Sequence, residues 1–296
     1  MFTRREWMRA AGQAALVTAV TRHTPIAAQP AREFCLFSKH LPELGWSDLG
    51  RAVKDTGFDG VDLTVRPGGH VLPERAAEDL PRAIEALTAQ RVKVPMITTD
   101  LTSASVPVAK PLLQAAARSG VKFFKTGYWR YSSSPDVRAQ VAEVGKALEG
   151  LAALARECGI EMGFHNHAAY IGAALWDIAP SMDRLDPRWA GYYFDPRHAV
   201  AEGGGGAWKA ATHLVAPRLK MIAVKDCRWL KSPKGWLIEN CPLGEGLVDW
   251  AFVGKALRDA QFAGPISLHL EYEIPAGTRH TLDAATRDLA FARKFL

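Results

Sequence analysis

From residue 33 to residue 296 the chain alternates between two hydrophobic patterns. Short, almost wholly apolar runs predict strands at 33–39, 60–65, 92–98, 121–128, 159–167, 190–194, 219–224 and 265–271. Between them, apolar residues at helical spacing predict helices at 46–57, 74–91, 106–120, 135–158, 176–182, 208–216, 249–261 and 282–296. Strands apolar on both faces, such as Met221-Ile222-Ala223-Val224, suit a parallel sheet covered on both sides. Eight such units predict an α/β fold, a single-domain (β/α)8 TIM barrel over 29–296. A doubly wound sheet fits less well, because no Gly-x-Gly-x-x-Gly follows the first strand. The Gly203–Gly206 run lacks the Lys-Ser/Thr partner of a phosphate loop. The stretch 227–246, with Trp229, Trp236, Pro233 and Pro242, reads as a loop long enough to act as a lid.

Residues 1–28 stand apart. Thr3-Arg4-Arg5-Glu6-Trp7-Met8 resembles a twin-arginine motif, an apolar stretch follows from Ala10 to Val20, and Ile26-Ala27-Ala28 offers small residues for cleavage. The expectation is a twin-arginine signal peptide and a periplasmic or secreted protein; the rival is a basic amphipathic helix.

Composition narrows the function. The formal charge is +6, but four arginines and one glutamate in residues 1–28 account for half of it. The remainder is too small for a nucleic-acid partner, and no basic cluster interleaves with aromatics. No run of 18 apolar residues exists, so stable membrane insertion is not expected. Of four cysteines, Cys35 and Cys158 flank predicted strands and read as buried apolar side chains. Cys227 and Cys241 flank one loop, and their pairing is left open.

The chemistry gathers at strand ends. The fifth predicted strand stops on His165-Asn166-His167, and imidazoles at i and i+2 of a strand share a face. Later strands end in Asp195 and His198, in Lys225 and Asp226, and in His269 and Glu271; earlier ones in Lys39, His40, Asp62, Thr99, Asp100 and Lys125. In a (β/α)8 barrel these ends line one mouth, where active sites lie. Imidazole and carboxylate groups from separate strands are a ligand set for a divalent metal (Mn, Zn, Fe, Co or Mg), with His165, Asp195, His269 and Glu271 as candidate ligands. Each is also readable as a hydrogen-bonded structural residue. Lys225 suits an electrophile that polarises a carbonyl or pairs a substrate oxygen; its structural reading is a salt bridge to Asp226 or a barrel carboxylate. Glu271, His198 and His167 are the candidate bases. Lys125, Trp129 and Trp229 are candidate substrate contacts, aromatic faces on rim loops suiting sugar rings.

Phe164-His165-Asn166-His167, Phe194-Asp195-Pro196-Arg197-His198-Ala199, Val224-Lys225-Asp226, the PLGEG run 242–246 and the GPISLHLEYE run 264–273 together resemble the xylose-isomerase-like barrel superfamily, and within it exported members whose last strand reads His-x-Glu-Tyr. The resemblance covers about residues 33–296. That superfamily includes sugar phosphate isomerases/epimerases, inosose dehydratases and endonuclease IV. The chain departs from it where His165 stands for a metal-binding Glu and Ala223 for a metal-binding His. The last-strand Glu aligns with His269 or with Glu271.

The resemblance implies a metal-dependent sugar or keto-sugar isomerase, epimerase or lyase that abstracts a proton next to a carbonyl of a small carbohydrate. The alternative is a catalytically inactive barrel that binds carbohydrate. An abasic-site endonuclease would need a three-zinc cluster and a basic DNA face, which the sequence does not offer. Association into a homo-oligomer is left open.

Overall fold

The computed structural model describes residues 32–233 and 235–296. The segment expected to direct export, 1–28, lies outside the described residues.

Eight parallel strands close into a barrel. They are β1 (Phe34–Phe37), β2 (Gly60–Thr64), β3 (Lys93–Thr98), β4 (Phe123–Lys125), β5 (Glu161–His165), β6 (Ala190–Phe194), β7 (Leu219–Val224) and, after an excursion, β10 (Ile266–Leu268). The ring runs β1-β10-β7-β6-β5-β4-β3-β2. The helices among the described residues are α1 (Trp46–Asp55), α2 (Ala76–Ala89), α3 (Ala109–Arg118), α4 (Val137–Cys158), α5 (Leu175–Asp183), α6 (Pro196–Val215), α7 (Trp250–Asp259) and α8 (Thr278–Phe295). The (β/α)8 expectation is met, and each expected strand and helix has a counterpart in the chain order.

Strand alternation sorts side chains between two environments. On β5, Met162 and Phe164 join the core between sheet and helices; on β6, Tyr192 and Phe194 do so; on β7, Ile222 and Val224. The intervening positions face the barrel axis, where Met96, Tyr193, Met221 and Ala223 pack as a separate buried cluster. Gly163 also faces the axis. A Cβ there would come within 2.1 Å of Met221 Cε, so its lack of a side chain lets β5 pass the Met221 plug. Above this plug the inward positions turn polar, which places His165, Asp195, Lys225, His269 and Glu271 at one end.

Two local features differ from expectation. The stretch 227–246 is not an irregular lid: β8 (Asp226–Ser232) and β9 (Gly235–Cys241) form an antiparallel hairpin. Asp226 anchors it, accepting bonds from the amides of Cys227, Gly244 and Val248 and from the Trp250 indole. Gly246 closes around that carboxylate, since a Cβ would lie 2.1 Å from Asp226 Oδ1. This close approach explains the glycine at 246. The other difference is that α6 starts at Pro196 rather than near Trp208. Asp195 is its N-cap, Pro196 occupies the first turn, and the Gly203–Gly206 run kinks the helix at Gly204 (φ 56°). The four cysteines are free thiols, Cys227 and Cys241 included.

Candidate active site

Asp195 is the hub of the mouth. Its backbone is clamped by Asn166, whose side-chain oxygen accepts from Asp195 N (2.8 Å) and whose amide donates to Asp195 O (3.0 Å). Its Oδ1 caps α6 by accepting from His198 N (3.1 Å). Its Oδ2 is left to face the barrel, 3.3 Å from His165 Nε2, 3.2 Å from Lys225 Nζ and 3.6 Å from His198 Nε2. Burial alone would raise this carboxyl, but Lys225, His198 and His165 together hold it well below its ordinary value.

Lys225 Nζ reaches across the mouth to Glu271 Oε2 at 2.8 Å. Glu271 Oε1 also takes Lys39 at 3.0 Å. Its backbone is fixed from two sides. Leu270 N donates to His40 Nε2 (2.9 Å), and Asn240 of β9 donates to Glu271 O (2.8 Å) while accepting from Arg197 (2.7 Å). Burial opposes its charge, yet Lys225, His269 and Lys39 depress the carboxyl far below the usual range. The salt bridge foreseen for Lys225 therefore runs to barrel carboxylates and not to Asp226, which is spent on the hairpin.

Hydrogen bonding sets the imidazole tautomers. His165 Nε2–H points to Asp195, so its Nδ1 accepts from the Tyr128 hydroxyl at 2.9 Å. Burial pushes its pKa down to about 3, against the pull of Asp195. His198 Nδ1 accepts from Arg197 (3.0 Å), which leaves the proton on Nε2, a buried atom without a hydrogen-bond partner. His167 is the opposite case. Its Nδ1–H donates to Ala168 O at 2.9 Å, which leaves the Nε2 lone pair unprotonated on a half-buried ring. Burial lowers the pKa of His167 too. His167 and His198 stack at 3.9 Å between centroids.

Below this layer lies a second one. The Tyr193 hydroxyl donates to Asp62 Oδ2 (3.1 Å) and lies 3.0 Å from His269 Nε2. Thr98 and Ser267 also donate to Asp62, each at 2.7 Å. Burial raises the Asp62 carboxyl, and the three hydroxyls work against that. Lys125 is buried with Nζ 3.4 Å over the Tyr128 ring and 3.5 Å from Thr99 O. Burial, with Arg66 adding to it, holds this amine well below the ordinary lysine value.

A cavity of about 80 Å³ opens between these groups. Lys39, Arg66, Lys125, Tyr128, His165, His167, Tyr193, Lys225, His269 and Glu271 are among the residues lining it. Larger cavities of about 490 and 460 Å³ lie away from this chemistry, one beside the hairpin and α8 and one at the strands' other end. Part of the expected strand-end set lines this cavity; His198 stacks against His167, Asp195 reaches the set through Lys225 and His165, Asp62 lies in the layer below, and Asp226 is turned to the hairpin. The two tryptophans do not converge. Trp129 stacks on Phe164, outside the barrel wall, and Trp229 is 46% exposed on the hairpin. Asn166, Tyr193 and Arg66 were missed. Only Asn166, inside the His-Asn-His run, carried a local sequence signal.

A matching family model spans residues 50–295 and is described as a xylose isomerase-like TIM barrel. The chain belongs to this family. Solved structures agree on the fold. A D-psicose 3-epimerase from Clostridium cellulolyticum H10, with D-tagatose, has a TM-score of 0.69 at 13% identity, covering 89% of this chain and 99% of that one. A 3-keto-D-glucoside 4-epimerase from E. coli has 0.68 at 15%, covering 89% and 100%. A xylose isomerase-like TIM barrel protein from Mycobacterium smegmatis, in complex with magnesium, has 0.65 at 16%, covering 90% and 96%. No curated protein matches the chain. Among the described residues no helix is long and apolar enough to cross a membrane.

The magnesium complex of that family member makes a divalent ion the natural test of this site. His165 has both ring nitrogens engaged, by Tyr128 and Asp195. Asp195 Oδ2 and Glu271 Oε2 converge on the Lys225 ammonium. Ala223 faces the axis with a methyl group. Among the described residues no three His, Cys, Asp or Glu side chains are disposed to hold one ion. His165, Asp195, His269 and Glu271, the four expected ligands, bond here to one another, to tyrosines and to lysine. The residues as they stand do not fit the ion.

Proposed function

We propose that the chain catalyses proton transfer at a carbon next to a carbonyl of a sugar or keto-sugar, as an isomerase, epimerase or lyase. One juxtaposition carries this reading: an imidazole with a free Nε2 lone pair, His167, and an ammonium, Lys225, line the same small cavity. His167 Nε2 takes the proton from carbon as base. The Lys225 ammonium meets the oxygen on which negative charge develops, in a water-poor site where such a contact counts most. The Tyr128 hydroxyl, bonded to His165, is a polar contact for the sugar on the same wall. Glu271 is held anionic by two lysines, so it positions Lys225 rather than competing for the proton. The sugars named with the structural relatives, D-tagatose among them, point to ketoses as the first probes.

The reading is tested by incubating the protein with ketoses and 3-keto-glucosides in D2O and following exchange by NMR. The expected result is deuterium at the carbon beside the carbonyl, lost in His167→Gln. Sugar binding with no exchange on any of them would replace this reading with the inactive carbohydrate-binding barrel. We place the activity outside the cytoplasm, on the strength of Arg4-Arg5 and the apolar stretch behind them. Replacing both arginines by lysine is expected to leave the protein in the cytoplasm; unchanged export would refute this.

A further inference from the structure

We propose that the Lys225 ammonium takes the place of a divalent metal in this site, so that the chain works as a metal-free member of its family. The inference deepens the proton-transfer reading of the same cavity by naming its electrophile as a side chain.

Three independent observations support it. The first is position: Lys225 Nζ lies between carboxylates from two different strand ends, 3.2 Å from Asp195 Oδ2 and 2.8 Å from Glu271 Oε2. A cation that gathers oxygens from separate strands is what a bound ion does in such a mouth. The second is charge. Lys225, together with Lys39 on Glu271 Oε1, already balances the two carboxylates. A divalent ion entering beside the ammonium would meet repulsion at contact distance with no uncompensated anion to offset it. The third is donor supply. The axis-facing position two residues before Lys225 is Ala223, which has no donor, and both nitrogens of His165 are taken. The ring nitrogens that stay without a partner, His269 Nδ1 and His167 Nε2 among them, do not make up a set, since no three His, Cys, Asp or Glu side chains among the described residues are disposed around one point.

The chemistry stays balanced without an ion. The proton leaves carbon for His167 Nε2, the electron pair moves onto the carbonyl oxygen, and that oxygen lies against an ammonium hydrogen-bond donor. Return of the proton regenerates both groups, and no redox partner is needed.

The decisive measurement is metal content and metal binding of the full chain, which does not depend on knowing the substrate. Purified protein, grown with Mg, Mn, Co and Zn supplied, is expected to hold less than about 0.1 equivalent of any of them by mass spectrometry. Adding each ion alone is expected to leave Tm unchanged. Lys225→Ala, which frees two carboxylates, is expected to gain a metal-dependent rise in Tm of about 5 °C or more. Near-stoichiometric metal in the wild-type protein, or a wild-type Tm that rises with one of the ions, overturns the proposal whether or not the variant folds. The two proposals fail separately. Exchange on a ketose that appears only when metal is added defeats the ammonium proposal and leaves proton transfer standing. No exchange on any probe, with metal-free wild-type protein, defeats proton transfer and leaves the ammonium in the ion's place.

Discussion

Lys225 and Glu271 meet at 2.8 Å across the barrel mouth, one from the end of β7 and the other from beyond β10. Because Lys225 also touches Asp195, a single ammonium ties together three neighbouring strand ends. The stability of the mouth and the proposed chemistry therefore rest on the same group.

Replacing Lys225 by Met would leave buried Asp195 with imidazoles and the His198 amide but no cation, and Glu271 with Lys39 as its remaining lysine partner. The expected loss of stability is about 3 kcal/mol, as for other buried pairs stripped of one member. Exchange activity is expected to fall about 10²- to 10³-fold. Lys225→Arg should not restore it, since a planar fork does not fill the place of a compact ammonium. Urea unfolding and the exchange rate measure the two effects. Full activity in Lys225→Met would remove it from the mechanism.

His167 and His198 stack on each other but carry opposite tautomers. The base reading assigns the chemical step to His167 alone. His167→Gln is expected to lower kcat about 10²- to 10⁴-fold with little change in KM. His198→Gln, whose ring stacks on His167 and does not line the cavity, is expected to cost much less. The reverse ranking would move the base to His198.

Gly246→Ala would drive a Cβ to 2.1 Å from Asp226 Oδ1 and 2.5 Å from Cys227 O. The hairpin anchor must then shift, at an expected cost of about 1–3 kcal/mol. Gly205→Ala is the control, because nothing lies within 4 Å of its would-be Cβ. It is expected to be neutral or slightly stabilising. Equal melting temperatures for both variants would show that the loop does not depend on this contact.

Acid should destabilise the fold before the carboxylates titrate. Burial depresses His40 to about 4 and His165 to about 3, from 6.5. A depressed histidine contributes stability that is complete above the unfolded value and is lost as pH falls through the folded one. His40 alone is expected to cost roughly 3 kcal/mol between pH 7 and pH 4. Asp195 and Glu271, both held low, add to the loss at more acid pH, and Asp62, held high, opposes it. Denaturant midpoints from pH 7.5 down to pH 4 measure this. A flat profile down to pH 4.5 would mean that the imidazoles are not kept neutral by burial.

The barrel was readable from the chain because period alone reports it. Apolar runs covered on both faces and helices of 3.6 spacing follow from local geometry, and alternation along β5, β6, β7 and β10 also sends His165, Asp195, Lys225 and His269 to one side of the wall. The gathering of strand ends at one mouth then follows from parallel closure. What the chain did not disclose were relations between residues far apart in sequence. That β8 and β9 pair rather than form a loop depends on the Asp226 anchor, whose partners lie up to 24 residues away. That Trp129 and Trp229 miss the cavity depends on which face of the wall and of the hairpin each occupies. The bond from Tyr193 to Asp62 spans 131 residues and has no sequence period. The pairing of Lys225 was decided the same way. A lysine at this strand end reads equally as an electrophile or as a salt bridge to Asp226 or a barrel carboxylate, and only closure of the barrel sets Asp195 and Glu271 on either side of it, where the low-dielectric surroundings make the position of one ammonium matter.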